Sequence, residues 1–166
     1  MTDTGRWDAR PNIVPWPPLI YAAAALAGFG LGRIHPIGGG WWMEPFARAI
    51  GGLTMAAGLG FDIAAMFWMH RQRANILPNR AATALVTTGP FAVSRNPIYL
   101  GNALLIAGAA PVLDNPWFLP AAVIAAFAVG RLAIRREEAH LAVRFGDAWR
   151  DYAKRTPRWL IGRRRG

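Results

Sequence analysis

Long apolar runs alternate along the chain with short stretches rich in arginine, proline and glycine. From Pro17 to Gly32 there is no charge, and two prolines open the run where a helix's first turn has no use for their missing N–H. This predicts a first membrane helix, somewhat short against the roughly 20 residues that a bilayer asks for. A second is predicted from about Pro45 to Met69, with Gly51, Gly52, Gly58 and Gly60 giving it small faces that another backbone can approach. A third runs from about Ile98 to Leu113. Asp114-Asn115-Pro116 then reverses the chain, and a fourth apolar run extends from Trp117 to Gly130. Past Gly130 the pattern Arg131-Leu132-Ala133-Ile134-Arg135-Arg136-Glu137-Glu138-Ala139-His140-Leu141 becomes amphipathic, as expected of a helix leaving an apolar layer. Residues 145 to 160 predict a short amphipathic surface helix before a basic tail. The fold class is all-α: a polytopic integral membrane protein with about four transmembrane helices and a C-terminal amphipathic cytoplasmic helix.

Composition sharpens this picture. Of the 166 residues 54% are hydrophobic, yet the net charge is +10. A nucleic-acid binder is the usual meaning of so basic a chain, but apolar runs of this length argue for a membrane protein whose arginines set topology and meet anionic headgroups. Arg71, Arg73, Arg80 and Arg95 before the third helix, with the basic C-terminal segment, place those regions and both termini in the cytoplasm. Arg33 and Arg48, in the first outer connection, depart mildly from the rule. Trp7, Trp16 and the Trp41-Trp42 pair suit interfacial belts. Residues 1 to 10 lack the basic and apolar regions of a cleavable signal, so they are expected to be retained. With no cysteine there is neither a disulfide framework nor a thiol nucleophile, and three scattered histidines offer no metal-ligand spacing.

Two features carry candidate chemistry. The stretch from Leu85 to Gly101 contains a Gly-Pro and an Asn-Pro step whose prolines lie seven residues apart, which one regular helix cannot accommodate. Irregular backbone at a bilayer is tolerated where protein or an aqueous cavity satisfies its polar groups, so the stretch reads either as a binding site or as a capped interfacial loop. Asp62, inside the second helix, is a functional candidate or a carboxylate paired within the bundle.

Leu85-Val86-Thr87-Thr88-Gly89-Pro90-Phe91, then Arg95-Asn96-Pro97-Ile98-Tyr99-Leu100-Gly101, then the Glu137-Glu138 pair, and finally Phe145-Gly146 with Pro157-Arg158-Trp159, occur in one order at compact spacing. Together, over about residues 75 to 160, they resemble the isoprenylcysteine carboxyl methyltransferase family, its phospholipid methyltransferase relatives and small prokaryotic integral-membrane methyltransferases, a resemblance that implies a prokaryotic cell membrane. Asn96 stands where the carboxyl methyltransferases typically carry histidine, and asparagine does not titrate near neutrality. Ala133 stands nearest the place of a substrate-binding arginine in eukaryotic members, so substrate recognition does not carry over.

The resemblance implies a single domain over 1–166, with 1–73 a two-helix N-terminal part and 74–160 the catalytic part. It implies S-adenosyl-L-methionine as methyl donor, leaving S-adenosyl-L-homocysteine. Cofactor contacts are then expected from Thr83, Leu85, Val86, Phe91, Asn96, Pro97, Ile98, Tyr99, Glu137 and Glu138, and catalytic roles from Asn96, Tyr99 and Glu137. The acceptor is expected to be lipophilic or amphipathic: an isoprenylcysteine-like carboxylate, a phospholipid amine or a thiol. For an acceptor that needs deprotonation, Tyr99 and Asp62 are candidate bases, with His140 behind them. An NADPH-dependent intramembrane reductase and a non-enzymatic scaffold are the readings of other classes. Beyond the bilayer and the acceptor, the glycine-rich second helix is compatible with a homodimer.

Overall fold

The computed structural model describes residues 16–37, 44–75 and 82–160. The lead-in with Trp7, the Gly38–Trp42 turn, Arg80 and the basic tail fall outside the described residues. The described chain is helical: α1 (Trp16–Ile34), α2 (Pro45–Arg71), α3 (Pro97–Val112), α4 (Phe118–Val129) and α5 (Arg135–Arg155). A 3-10 turn, Gly89–Ala92, interrupts the irregular connection before α3, and a π-helical turn, Gly130–Ile134, joins α4 to α5. Three helical stretches, α1, α2 and the one starting at Phe118, are long and apolar enough to cross a membrane, while α3 is apolar but shorter. The protein is an integral membrane protein, and Leu26, Leu53, Val123 and Phe127 lie exposed on its outer surface as lipid-facing side chains do.

α3 and α4 form the centre, with α2 laid on α3 and α1 on α4. Small residues make the α2–α3 contact close. A Cβ on Gly58 would fall 2.6 Å from the Gly101 carbonyl oxygen, and one on Gly108 would fall 2.6 Å from that of Gly51. These two glycine pairs, each seven residues apart on its own helix, let the backbones touch where larger side chains would hold them apart. Gly52 and Gly60 have nothing near them. Across the bundle, Ile106, Ala109 and Ala110 of α3 pack with Phe118, Ala122, Ala125 and Val129 of α4 and with Tyr21 of α1. Asn115 locks the far reversal: its side-chain amide donates to the Gly28 carbonyl at 2.9 Å and its Oδ1 accepts the Trp117 N–H at 3.2 Å.

The amphipathic helix predicted after Phe145 is present as the second limb of α5. Gly146, at φ +53° and ψ −123°, is non-helical and kinks the chain between the two limbs, and glycine takes that left-handed φ without a Cβ penalty. The π turn matters as much. Its wider winding rotates everything beyond it relative to α4, and this sets the face on which the Glu137-Glu138 pair stands.

Candidate functional site

The connection before α3 is shaped by its special residues. Gly89 has φ +62° and presses against the indole of Trp68 on α2, so a side chain there would meet both strain and a clash. The Gln72 amide donates to the Thr88 hydroxyl at 2.8 Å, tying the end of α2 to the same loop. Asn96 precedes Pro97 at φ −131° and ψ 57°, outside the helical region, and Pro97 opens α3 at the position where a missing N–H is harmless. The Ser94 hydroxyl accepts the Asn96 N–H at 3.1 Å inside the turn.

The last described segment closes onto this turn. The Arg95 N–H donates to the Pro157 carbonyl at 2.9 Å, and the Arg158 carbonyl accepts from the Ser94 hydroxyl at 3.2 Å and from the Asn96 amide at 3.0 Å. Arg158 also donates through Nε (3.0 Å) to Glu138 Oε1 and through Nη2 to Oε2, and Arg95 Nη1 meets the same Oε1 at 3.0 Å. Glu138 therefore lies between two guanidiniums. Its hydrogen bond holds the Arg158 pKa above the ordinary arginine value, so the clasp stays charged. The Arg95 guanidinium also stacks 5.6 Å from the Trp149 ring centre, and the Tyr152 hydroxyl donates to the Phe91 carbonyl at 2.7 Å.

Inside this frame is a cavity of about 350 Å³. One wall comes from the membrane helices: Pro17, Pro18 and Tyr21 of α1, Met66 and Met69 of α2, and Ile98, Tyr99 and Asn102 of α3. The other comes from Leu85, Val86, Phe91, Arg95 and Asn96 of the connection and from Glu137, Glu138, His140, Trp149 and Tyr152 of α5. The Tyr99 hydroxyl donates to Glu137 Oε1 at 2.7 Å, and the Tyr21 hydroxyl donates to the Tyr99 carbonyl at 2.7 Å. His140, almost fully buried, accepts the Ala82 N–H at Nε2 (3.3 Å). The Arg95 Nε–H is buried and has no acceptor among the described residues, although Arg95 lines the cavity.

Leu85, Val86, Phe91, Pro97, Ile98, Tyr99 and Glu137 line one cavity. Thr83 does not line it; its hydroxyl turns away to the Arg73 carbonyl at 2.8 Å, and the residue is exposed. Asn96 and Glu138 line the cavity, but the side-chain amide of the first holds the Arg158 carbonyl and the carboxylate of the second holds two arginines. Asp62 is not in the lining. Sequence reasoning passed over Arg95, Trp149 and Tyr152. Their signals were present: Arg95 directly precedes Asn96, and Trp149 and Tyr152 are spaced i, i+3 on an amphipathic helix. Among the described residues, no group of three His, Asp or Glu side chains gathers as metal ligands would.

The nickel-cobalt-cadmium resistance protein NccN of Alcaligenes xylosoxydans xylosoxydans is 39% identical over 82 residues, 49% of this chain and 38% of its own length. The cobalt-zinc-cadmium resistance protein CzcN of Cupriavidus metallidurans is 30% identical over 149 residues, 89% of this chain and 62% of its own length. The chain thus spans less than two thirds of either relative. No solved structure matches it. The model of the phospholipid methyltransferase family matches residues 46–148, which takes in α2, the shaped connection, α3, α4 and the first limb of α5. By that match, over most of the cavity's own residues, the chain belongs to the phospholipid methyltransferase family.

Proposed function

We propose that this chain is an S-adenosylmethionine-dependent membrane methyltransferase acting on a lipophilic or amphipathic acceptor. The observation that carries the proposal is the meeting of the Leu85–Gly101 connection and Glu137 across one cavity, joined by the Tyr99–Glu137 hydrogen bond. The residues suit the cofactor. Leu85, Val86 and Phe91 offer an apolar wall for a purine. Glu137 offers a carboxylate that accepts from ribose hydroxyls or an amino group and favours a nearby cation. The unpartnered Arg95 Nε–H and the first-turn amides of α3 suit the carboxylate of the methionine moiety. When bound, the cofactor supplies an electrophilic methyl group on a sulfonium.

The chain's own contribution is alignment and exclusion of water, which can supply a large share of the barrier reduction in a displacement. The clasp of Ser94, Arg95 and Asn96 on Pro157 and Arg158 holds the α5 wall against the α3 wall. Tyr99 and Glu137 share one proton at the Tyr99 hydroxyl, the position from which an acceptor's proton would be managed. α1 and α2 lean on α4 and α3 rather than on each other, and residues of both line the cavity. The cleft between them is the route we assign to an acceptor arriving from the bilayer, with the cofactor arriving from the cytoplasm.

The test is calorimetric titration of the protein in nanodiscs with S-adenosylhomocysteine and, in parallel, with NADPH. Saturable binding of the first alone, weakened on the order of tenfold or more in Glu137→Ala through loss of charged hydrogen bonds, is the expected result. Binding of NADPH alone would move the protein to the reductases, and binding of neither would leave a scaffold.

A further inference from the structure

A charged residue stands just beyond the membrane wall of the cavity, and nothing described so far uses it. Asp62 lies four residues before Met66 and seven before Met69, both of which line the cavity. Helical spacing puts the three on one stripe of α2, with Asp62 the deepest. Counted back from Arg71, it is about 13 Å inside the helix. Opposite it is Gly101 of α3, whose missing side chain leaves room for the carboxylate.

Asp62 Oδ1 is buried and has no hydrogen-bond partner among the described residues. The Tyr21 hydroxyl of α1 does not serve it, because it donates its proton to the Tyr99 carbonyl. The basic residues of α2 stand at its two ends, at Arg48 and at His70 and Arg71, and α3 has none. A carboxylate so placed in an apolar bundle is costly, and such residues mark ligand or ion paths when they are kept. Asp62 as a whole is only partly buried, one turn from Met66, which lines the cavity together with Pro17, Pro18 and Tyr21 of α1.

We propose that Asp62 is the acceptor-side recognition group: it takes a hydrogen-bond donor, an ammonium or a hydroxyl, from the headgroup of a membrane amphiphile lying in the α1–α2 cleft. Calling that amphiphile the methyl acceptor rests on the methyltransferase reading; the recognition itself does not. The electrostatics select against a carboxylate headgroup, because Asp62 and Glu137 would both repel it and the Arg95 and Arg158 guanidiniums already clasp Glu138. In this the site departs from a carboxyl methyltransferase.

The experiment titrates the protein in phosphatidylcholine nanodiscs with hexadecylamine, hexadecanol and hexadecanoate, three headgroups on one chain. The wild type is expected to bind the amine on the order of tenfold or more better than the carboxylate. Asp62→Asn, which keeps the shape and removes the charge, is expected to lose that preference while its affinity for S-adenosylhomocysteine is unchanged. A second measurement needs no variant: dicyclohexylcarbodiimide, a lipid-soluble carboxyl reagent, should label the peptide containing Asp62, and hexadecylamine but not hexadecanoate should protect it. Retained preference in Asp62→Asn, or labelling that the amine does not reduce, overturns the proposal. Loss of S-adenosylhomocysteine binding in the wild type, with the amine preference intact, overturns the methyltransferase reading instead.

Discussion

Tyr99 joins the two halves of the site. Its ring stands on the first turn of α3, its hydroxyl donates to Glu137 of α5, and its carbonyl accepts from Tyr21 of α1. Tyr99→Phe removes only the first of these links. It should weaken S-adenosylhomocysteine binding on the order of tenfold or somewhat more, since one hydrogen bond to a charged group contributes about 1.5 kcal/mol or somewhat more, and thermal unfolding in detergent should move little. Glu138 behaves differently, because it holds two arginines rather than the cavity. Glu138→Gln leaves Arg95 and Arg158 facing each other, and it should lower stability by roughly 1–2 kcal/mol, a figure kept small because Arg158 is well exposed to solvent. Asn96 adds a residue-scale explanation for its own presence. Where relatives of the carboxyl methyltransferase type carry histidine, this chain uses a buried amide to hold the Arg158 carbonyl.

Among the elements, the α2–α3 pair has the least tolerance for change. Gly58 and Gly101 face each other, and a Cβ on Gly58 would sit 2.6 Å from the Gly101 carbonyl oxygen and 3.1 Å from the Leu105 nitrogen. Both of those neighbours are backbone and cannot turn aside. Gly58→Ala should therefore cost about 1–3 kcal/mol by forcing the helices apart. Gly52→Ala, on a face with nothing within 4 Å, should be neutral or stabilising by up to about 1 kcal/mol through helix propensity. Chemical denaturation of both variants in one detergent separates close packing from mere glycine content. The glycines of α2 were visible in the sequence as a small face; that Gly51 and Gly58 are consumed against α3 was not, because helical spacing alone does not say which partner a face meets.

On the scale of the molecule, the connection before α3 and the chain after α5 are one unit. Ending the chain at Arg155 would remove the Pro157 and Arg158 carbonyls and the second guanidinium on Glu138. Such a truncation should weaken S-adenosylhomocysteine binding on the order of tenfold or more, since several hydrogen bonds, one of them charged, are lost together. Amide exchange in residues 89 to 98 should rise, while the Asn115 lock at the opposite reversal keeps its protection. Equal loosening at both ends would mean that the clasp serves general stability rather than the site.

The sequence by itself determined the four apolar helices, the shaped stretch from Leu85 to Gly101 and the acidic pair, because hydropathy runs and proline and glycine chemistry act locally. Tertiary structure decided the roles within that stretch and that pair. The π turn at Gly130–Ile134 sets the face of α5 on which Glu137 meets Tyr99 and Glu138 meets Arg95, and the kink at Gly146 redirects the chain that brings Arg158 to Glu138. Two neighbouring glutamates have the same local chemistry, and only the groups brought to them from elsewhere in the chain make one a cavity carboxylate and the other the centre of a clasp. Asp62 shows the same division: its place in an apolar run was legible, while its lack of a partner beside Gly101 depends on where three helices meet.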